Sequence, residues 1–212
     1  EGSFFSFLAN DNQYSREKLK GDIETLESFY RDRGYLKFSI ESSQISLSRD
    51  KKSIFITFNI NEGDKYQIND VDVVGEIPFE EAIYKDIIQS LKDTTYSQAQ
   101  ITSIEEYFIN ILGNRGYAFA EVAGNPEIDE ETNEVKLIFS VQPGNRTYTR
   151  KILFTGNDIT QDHVLRREMR QFEGAWTSDN AIEAGKVRLE RLGYFKEVNV
   201  ETIPVPGTDD QI

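Results

Sequence analysis

The chain contains no cysteine, so disulfides, thiolate metal sites and cysteine nucleophiles are excluded, while an oxidising and a reducing compartment both stay open. It has one histidine, His163, and no cysteine to assist it in acid–base or metal chemistry. No apolar run approaches the roughly 20 residues of a bilayer-spanning helix. The opening EGSFFSFLAND also lacks the basic start of a signal peptide. Positive charge is scarce: 24 Lys and Arg face 37 Asp and Glu, and a net charge of −13 repels the phosphates of nucleic acid and anionic lipid headgroups. No Walker or Rossmann glycine loop occurs, and the acidic stretch EIDEETNE lacks the glycine and terminal Glu of a calcium-binding EF-hand, so it reads as a solvated turn. These absences exclude nucleotide, thiol and nucleic-acid chemistry and predict no cofactor. What remains is a globular chain of 212 residues, 38% hydrophobic and 12% aromatic, sufficient for one or two folded cores.

The chain is repetitive. RDRGYLKFSI at 31–40, GNRGYAFAEV at 113–122 and LERLGYFKEV at 189–198 each place Gly-Tyr between a helical and a strand pattern. Further markers recur with a spacing of 81: Gly63 in NEGDKY with Gly144 in QPGNRT, and Gly75 in VVGE with Gly156 in FTGND. A period this long implies small domains in tandem, each with its own core. At Gly34, Gly116 and Gly193 a helix must turn straight into a strand, so these glycines read as positive-φ helix C-caps, with the following Tyr covering the junction.

The middle copy defines the unit. Ile83, Ile87 and Leu91 predict a first helix, and Ser97-x-x-Gln100 reads as a capping box for a second that carries Ile101, Ile104, Phe108 and Ile111. The period then becomes two. Ala118, Ala120 and Val122, then Val135, Leu137, Phe139 and Val141, predict a hairpin around the turn region NPEIDEETNE. The order is strand, helix, helix, strand, strand. In the third copy Ile152 and Phe154 are the inward residues of the first strand, and Ile182, Gly185, Leu189 and Leu192 mark the second helix. EGSFF at 1–5 is similar to EGAWT at 173–177, so the first copy is expected to lack its opening strand and helix; the third is expected to stop at DDQI, where its last strand should start.

With GDIETLESFYRDRGY, VLRREMRQFEGAW and GKVRLERLGYF, the three units resemble the POTRA modules of the outer-membrane barrel-assembly family of Gram-negative bacteria, over essentially the whole chain and in the order of the last modules before the barrel. The resemblance implies a partial third module at 1–64, a complete fourth at 65–145 and a truncated fifth at 146–212. It implies an α+β fold in which each module packs two antiparallel helices on a mixed three-stranded sheet, with the last strand in the middle and the second on an edge. It further implies a periplasmic location, lipoprotein partners, the handling of unfolded outer-membrane proteins, and a C-terminal membrane barrel in the parent chain, with no nucleotide and no small-molecule substrate. The alternative within this fold is the periplasmic arm of a two-partner-secretion or translocation pore.

A binding scaffold is favoured over an enzyme, because the carboxylates are scattered and nothing pairs them. In VLRREMRQF the residues Leu165, Met169 and Phe172 fall on one helical face, which leaves His163, Arg167 and Arg170 opposite and Glu168 at the border. A cationic strip on an acidic protein is either a solvated helix face or a docking surface. In the family the last module meets a helical lipoprotein, and the resemblance assigns that contact to His163, Arg166, Arg167, Glu168 and Arg170. The second feature lies in GYLKFSIESSQISLS. The apolar set Leu36, Phe38, Ile40 changes phase to Ile45, Leu47, predicting a long edge strand with a bulge across Glu41–Gln44. Its stretch Leu36, Lys37, Phe38, Ser39 and Ile40 is expected to accept an extended client strand, unless Lys37 and Glu41 are charges that protect the edge.

Overall fold

The computed structural model describes residues 16–50 and 53–212, so EGSFF and its likeness to EGAWT lie outside the described residues. The elements are α1 (Arg16–Arg31), β1 (Ser39–Leu47), β2 (Ile54–Asn61), β3 (Gln67–Gly75), α2 (Lys85–Leu91), β4 (Thr94–Thr95), α3 (Gln98–Gly113), β5 (Glu121–Asp129), β6 (Glu134–Gln142), α4 (Asp162–Glu168) and α5 (Asp179–Arg191). The fold is α+β. β1 and β2 form a two-stranded antiparallel sheet, and the other strands form a sheet of order β4-β3-β6-β5. The last strand of the middle repeat is therefore central and the second is on an edge, while β4, a two-residue strand pairing Gln67–Ile68 with Thr95–Thr94, is an addition that periodicity does not show.

Two compact units are present. The first runs up to Asn69 and includes Asp93–Gln100 and Ile128–Val135. Its interior holds Phe38, which stacks on Tyr30 with ring centroids 4.1 Å apart, together with the buried Tyr66, Ile68, Tyr96 and Val135. The second comprises Asp70–Lys92, Ile101–Glu127 and Lys136–Ile212. Phe108 of α3 is fully buried there against Phe79, Tyr84 and Phe139, and Leu165, Met169 and Leu189 form a further core with Phe154, Leu192, Phe195 and Val198 around it.

Strong alternation translates directly into structure: Val135, Leu137, Phe139 and Val141 of β6 are all buried, as a strand covered on one face requires. Ser97 Oγ accepts from Gln100 N at the start of α3. Other boundaries move. The predicted first helix of the middle repeat is split into a 3-10 turn, Glu81–Ile83, and α2, whose buried residues are Ile88 and Leu91. Ala118 and Ala120 precede β5, which instead extends to Asp129 and confines the turn to 130–133. In the third repeat residues 151–155 form no strand, and the main chain at Ile152 donates to the Glu173 carboxylate.

The Gly-Tyr loops do more than cap helices. Gly34 and Gly116 have φ of +95° and +98°, which turns their carbonyls towards the chain that follows: Tyr66 N–H donates to Gly34 O at 2.9 Å and Thr147 N–H to Gly116 O at 2.7 Å. Two residues before each glycine, a side-chain oxygen meets the first turn of the next long helix. Asp32 Oδ1 accepts from Ala99 N, and Asn114 Oδ1 from Asn180 N, both at 2.8 Å. These acceptors satisfy amides that a helix N-terminus leaves without an internal partner. A β-carbon at Gly116 would lie 2.9 Å from Arg146 Cγ, so Gly116→Val meets both an unfavourable φ and a close neighbour. Urea unfolding of Gly116→Val is expected to show a loss of about 1 kcal/mol or more, and unchanged unfolding would mean the joint relaxes freely.

Candidate functional site

The cationic strip is built on a short helix. α4 spans Asp162–Glu168, and at Met169 the backbone is already extended, with ψ of 145°. Phe172, expected on the buried face, therefore lies beyond the helix and is 65% exposed. Leu165 and Met169 do face inward. Gly185 of α5 allows the close approach, since a β-carbon there would sit 3.0 Å from Met169 Sδ.

The expected partner-binding residues separate into two groups. Arg166 is held by its own surroundings: it donates to Asp162 at 2.5 Å, to Glu173 at 2.9 Å and to the Ile152 carbonyl at 2.8 Å. Glu168 is turned towards α5, where Arg188 donates to it from Nε at 3.0 Å and from the terminal guanidinium nitrogen Nη2 at 2.7 Å, leaving its side chain 12% exposed. That contact is the principal reason its carboxyl lies below the ordinary glutamate range. Glu173 is likewise lowered, first by the Ile152 amide and then by Arg166. His163, Arg167 and Arg170 are exposed, Arg167 with 73% of its side chain accessible. Periodicity singled out none of Asp162, Glu173 and Arg188; the last lies 20 residues from the glutamate it binds.

The expected edge strand is also redistributed. β1 begins at Ser39, so Leu36 and Lys37 lie in the preceding turn and Phe38 is a core residue; of the five, Ser39 and Ile40 are on the strand. Lys37 pairs with Glu130 at 2.5 Å and is not a charge guarding the edge. The register shifts between Ile40 and Ser42, which places the bulge at Glu41. Beyond it Ile45 opposes Ile56 and Leu47 opposes Ile54, and Ile45 and Leu47 are 58% and 63% exposed. Among the described residues β1 pairs only with β2, so its other edge presents unsatisfied main-chain groups.

In the third repeat a cleft of about 680 Å³ lies against residues 149–155 and 197–206, with Leu165, Met169 and Leu189 in its wall. In the middle repeat Gln67 N–H donates to Asn133 O at the start of β6; here Tyr148 N–H donates to Asp210 O and Arg150 N–H to Ile212 O. Among the described residues no cluster of three or more His, Asp or Glu is arranged to hold a metal ion, and no helix is long and apolar enough to cross a membrane.

The Glu168 pair has a pH consequence. A carboxylate with a lowered folded-state pKa stabilises the fold above the unfolded-state value, and that stabilisation is lost as pH falls through the folded-state value. Glu168→Gln is expected to melt below the unsubstituted chain at neutral pH, with the gap closing in acid below the ordinary glutamate range. A gap that keeps its size in thermal melts down to about pH 2 would show that shape, not charge, holds this contact.

The POTRA family model, described as a surface antigen variable number repeat, matches residues 6–63, 66–144 and 147–212. The outer membrane protein assembly factor BamA of Neisseria meningitidis serogroup B is 31% identical over 215 aligned residues, covering 100% of this chain and 27% of the relative. BamA of Buchnera aphidicola is 33% identical, covering 91% of this chain and 31% of the relative. The chain thus spans less than a third of the length of these relatives. The crystal structure of Haemophilus influenzae BamA POTRA3-5 superposes with a TM-score of 0.84 at 29% identity, covering 95% of this chain and 80% of that one. With three matched stretches that together take in nearly the whole sequence, the chain belongs to the POTRA family.

Proposed function

We propose that this chain is a periplasmic, non-enzymatic scaffold of outer-membrane protein assembly, organised as modules 1–64, 65–145 and 146–212. The observation that carries the reading is the likeness to BamA at two levels, in sequence over the whole chain and in structure to POTRA3-5. In the parent protein the scaffold serves a C-terminal membrane barrel, holding lipoproteins of the assembly complex on one surface and extended, unfolded outer-membrane proteins on another.

The α4 strip is the lipoprotein surface. Arg166, Asp162, Glu173, Glu168 and Arg188 neutralise one another within the module and set the shape of the strip. Arg167 and Arg170, with His163, supply outward charge to acidic groups of a partner. The free edge of β1 is the client surface, where backbone hydrogen bonds bind an extended strand with little sequence demand and the exposed Ile45 and Leu47 contact its apolar side chains.

Both assignments are testable on folded protein. Arg167→Glu and Arg170→Glu are expected to abolish capture of the purified lipoprotein in a pull-down while circular dichroism and melting temperature hardly change, since removing a desolvated interfacial charge costs roughly 2 to 5 kcal/mol. Retained capture by both variants would place the interface elsewhere. A peptide with the alternating pattern of an outer-membrane strand is expected to slow hydrogen exchange along Ser42–Leu47, and unaltered exchange there would remove β1 as the client edge.

A further inference from the structure

The middle repeat carries a carboxylate where the other two carry isoleucine. Counted back from the loop glycine, Glu105 of α3 corresponds to Ile23 of α1 and to Ile182 of α5. Both isoleucines are half-buried, as the inward flank of an amphipathic helix requires, and Glu105 is half-buried with them. A polar group withdrawn from water costs free energy unless it is hydrogen-bonded. Glu105 finds its donor in the main chain of β5, where Gly124 N–H donates to Oε1 at 2.6 Å. Such a bond is charge-assisted and roughly twice as strong as a neutral one. Glycine is what lets the two approach. A β-carbon at Gly124 would fall 2.5 Å from Ile101 Cγ2 and 3.1 Å from Phe139 Cε1, so a side chain there would push the strand off α3 and away from the carboxylate.

The bond lies on the open side of the sheet. Among the described residues β5 is an outer strand next to β6, and an amide given to a helix is not given to β6. Alternate residues of a hairpin strand turn their main-chain groups to the same side, so Val122, Gly124 and Pro126 share this one. Pro126 has no amide. Two successive positions of the ladder that an added strand would use are therefore without a free donor, and at one of them a carboxylate oxygen already stands where the added strand's carbonyl would lie.

We propose that Glu105 is a specificity-determining residue: its carboxylate stands in for the carbonyl of an incoming strand and, together with Pro126, bars extended segments from the edge of the middle repeat. The inference rests on the reading of this chain as a scaffold for extended clients. The first repeat has no counterpart, since Ile23 carries no acceptor and β1 has Ser42 and Gln44 at the two positions.

The test opens the edge. Pro126→Val restores the missing amide, and adding Glu105→Ala frees that of Gly124. The probe is a peptide with the sequence of residues 134–142, the alternating strand that β5 already accepts on its other side. Titrated into the doubly substituted chain, it is expected to bind saturably and to slow hydrogen exchange along Val122–Glu127, whereas the unsubstituted chain shows no slowing there. Pro126→Val with Glu105→Gln keeps an acceptor oxygen at the same place and is expected to bind roughly tenfold more weakly than Pro126→Val with Glu105→Ala, about the effect of one hydrogen bond. Pro126→Val with Glu105→Ile, the residue of the other two repeats, is expected to open the edge as well, and circular dichroism checks that each chain is folded. The β1 edge is read at Ser42–Leu47 in the same samples, so a failure of that edge is distinct from a failure here. The inference is overturned if slowing along Val122–Glu127 appears with neither Glu105→Ala nor Glu105→Ile, if the Glu105→Gln chain binds as tightly as the Glu105→Ala chain, or if the peptide protects this stretch in the unsubstituted chain.

Discussion

The hydrogen bond from the stretch that opens the next repeat back to a positive-φ glycine carbonyl is the constraint on which the repeat architecture rests. It appears as Tyr66 N–H to Gly34 O and as Thr147 N–H to Gly116 O, and each is reinforced by a side-chain acceptor in the loop, Asp32 or Asn114, that takes a main-chain N–H of the next long helix. A single such bond contributes only about 0.5–1.5 kcal/mol net. The stronger argument is the alternative. Tyr66 and Thr147 are almost completely buried, and a buried amide left unpaired costs roughly 1–3 kcal/mol. The second joint adds the Thr147 hydroxyl, which also bonds Gly116 O and pairs with Thr177, and Arg146, which donates to Arg115 O and lies over the Trp176 ring. Opening such a joint breaks several satisfied groups together, so the chain around each loop moves as a unit.

Electrostatics follows a related logic. The chain is strongly acidic, yet its third repeat carries an arginine-rich helix, and much of that charge is cancelled locally. Arg166 answers Asp162 and Glu173, and Arg188 answers Glu168. The exposed Arg166 pairs contribute little to stability individually. The effect of these contacts is selective: by fixing Arg166 and Glu168 inward, they leave Arg167 and Arg170 as the outward cations on an otherwise repulsive surface. The outward positive charge here is carried by Arg167, which is largely exposed although its Nε lies 3.4 Å from Glu168, and by the exposed Arg170.

Residue types carried the fold wherever burial and local spacing coincide. β6 was legible because four apolar residues alternate without interruption, and α3 because Ser97 starts a helix whose Ile101 and Phe108 are fully buried. Gly34, Gly116 and Gly193 were legible as positive-φ positions because three copies share one environment on their helical side. The site was much less legible. Leu165, Met169 and Phe172 have helical spacing, but spacing cannot report that the backbone leaves the helix at Met169. Glu168 and Arg188 are remote in sequence and meet because Gly185 lets two helices close together. The capping of one repeat's helix by Asp32 or Asn114 of the preceding repeat is a tertiary relation with no local signature.

Among the described residues, the two repeats with a complete second strand treat its outer edge in opposite ways. Counted from the loop glycine, Ser42 and Gln44 of β1 stand where β5 has Gly124 and Pro126. Pro126 has no amide to offer, and Gly124 N–H is already committed to Glu105 at 2.6 Å, with the glycine required because a β-carbon would fall 2.5 Å from Ile101 Cγ2. Acidic residues Glu121, Glu127 and Asp129 complete a blunted edge on β5. β1 has none of these devices after its bulge: Ser42–Leu47 contains no proline, no glycine and no charge, and ends in exposed isoleucine and leucine. An edge without protection is an aggregation liability that a free-standing domain would be expected to suppress. At the same place in the repeat, β1 and β5 therefore carry opposite edge chemistry.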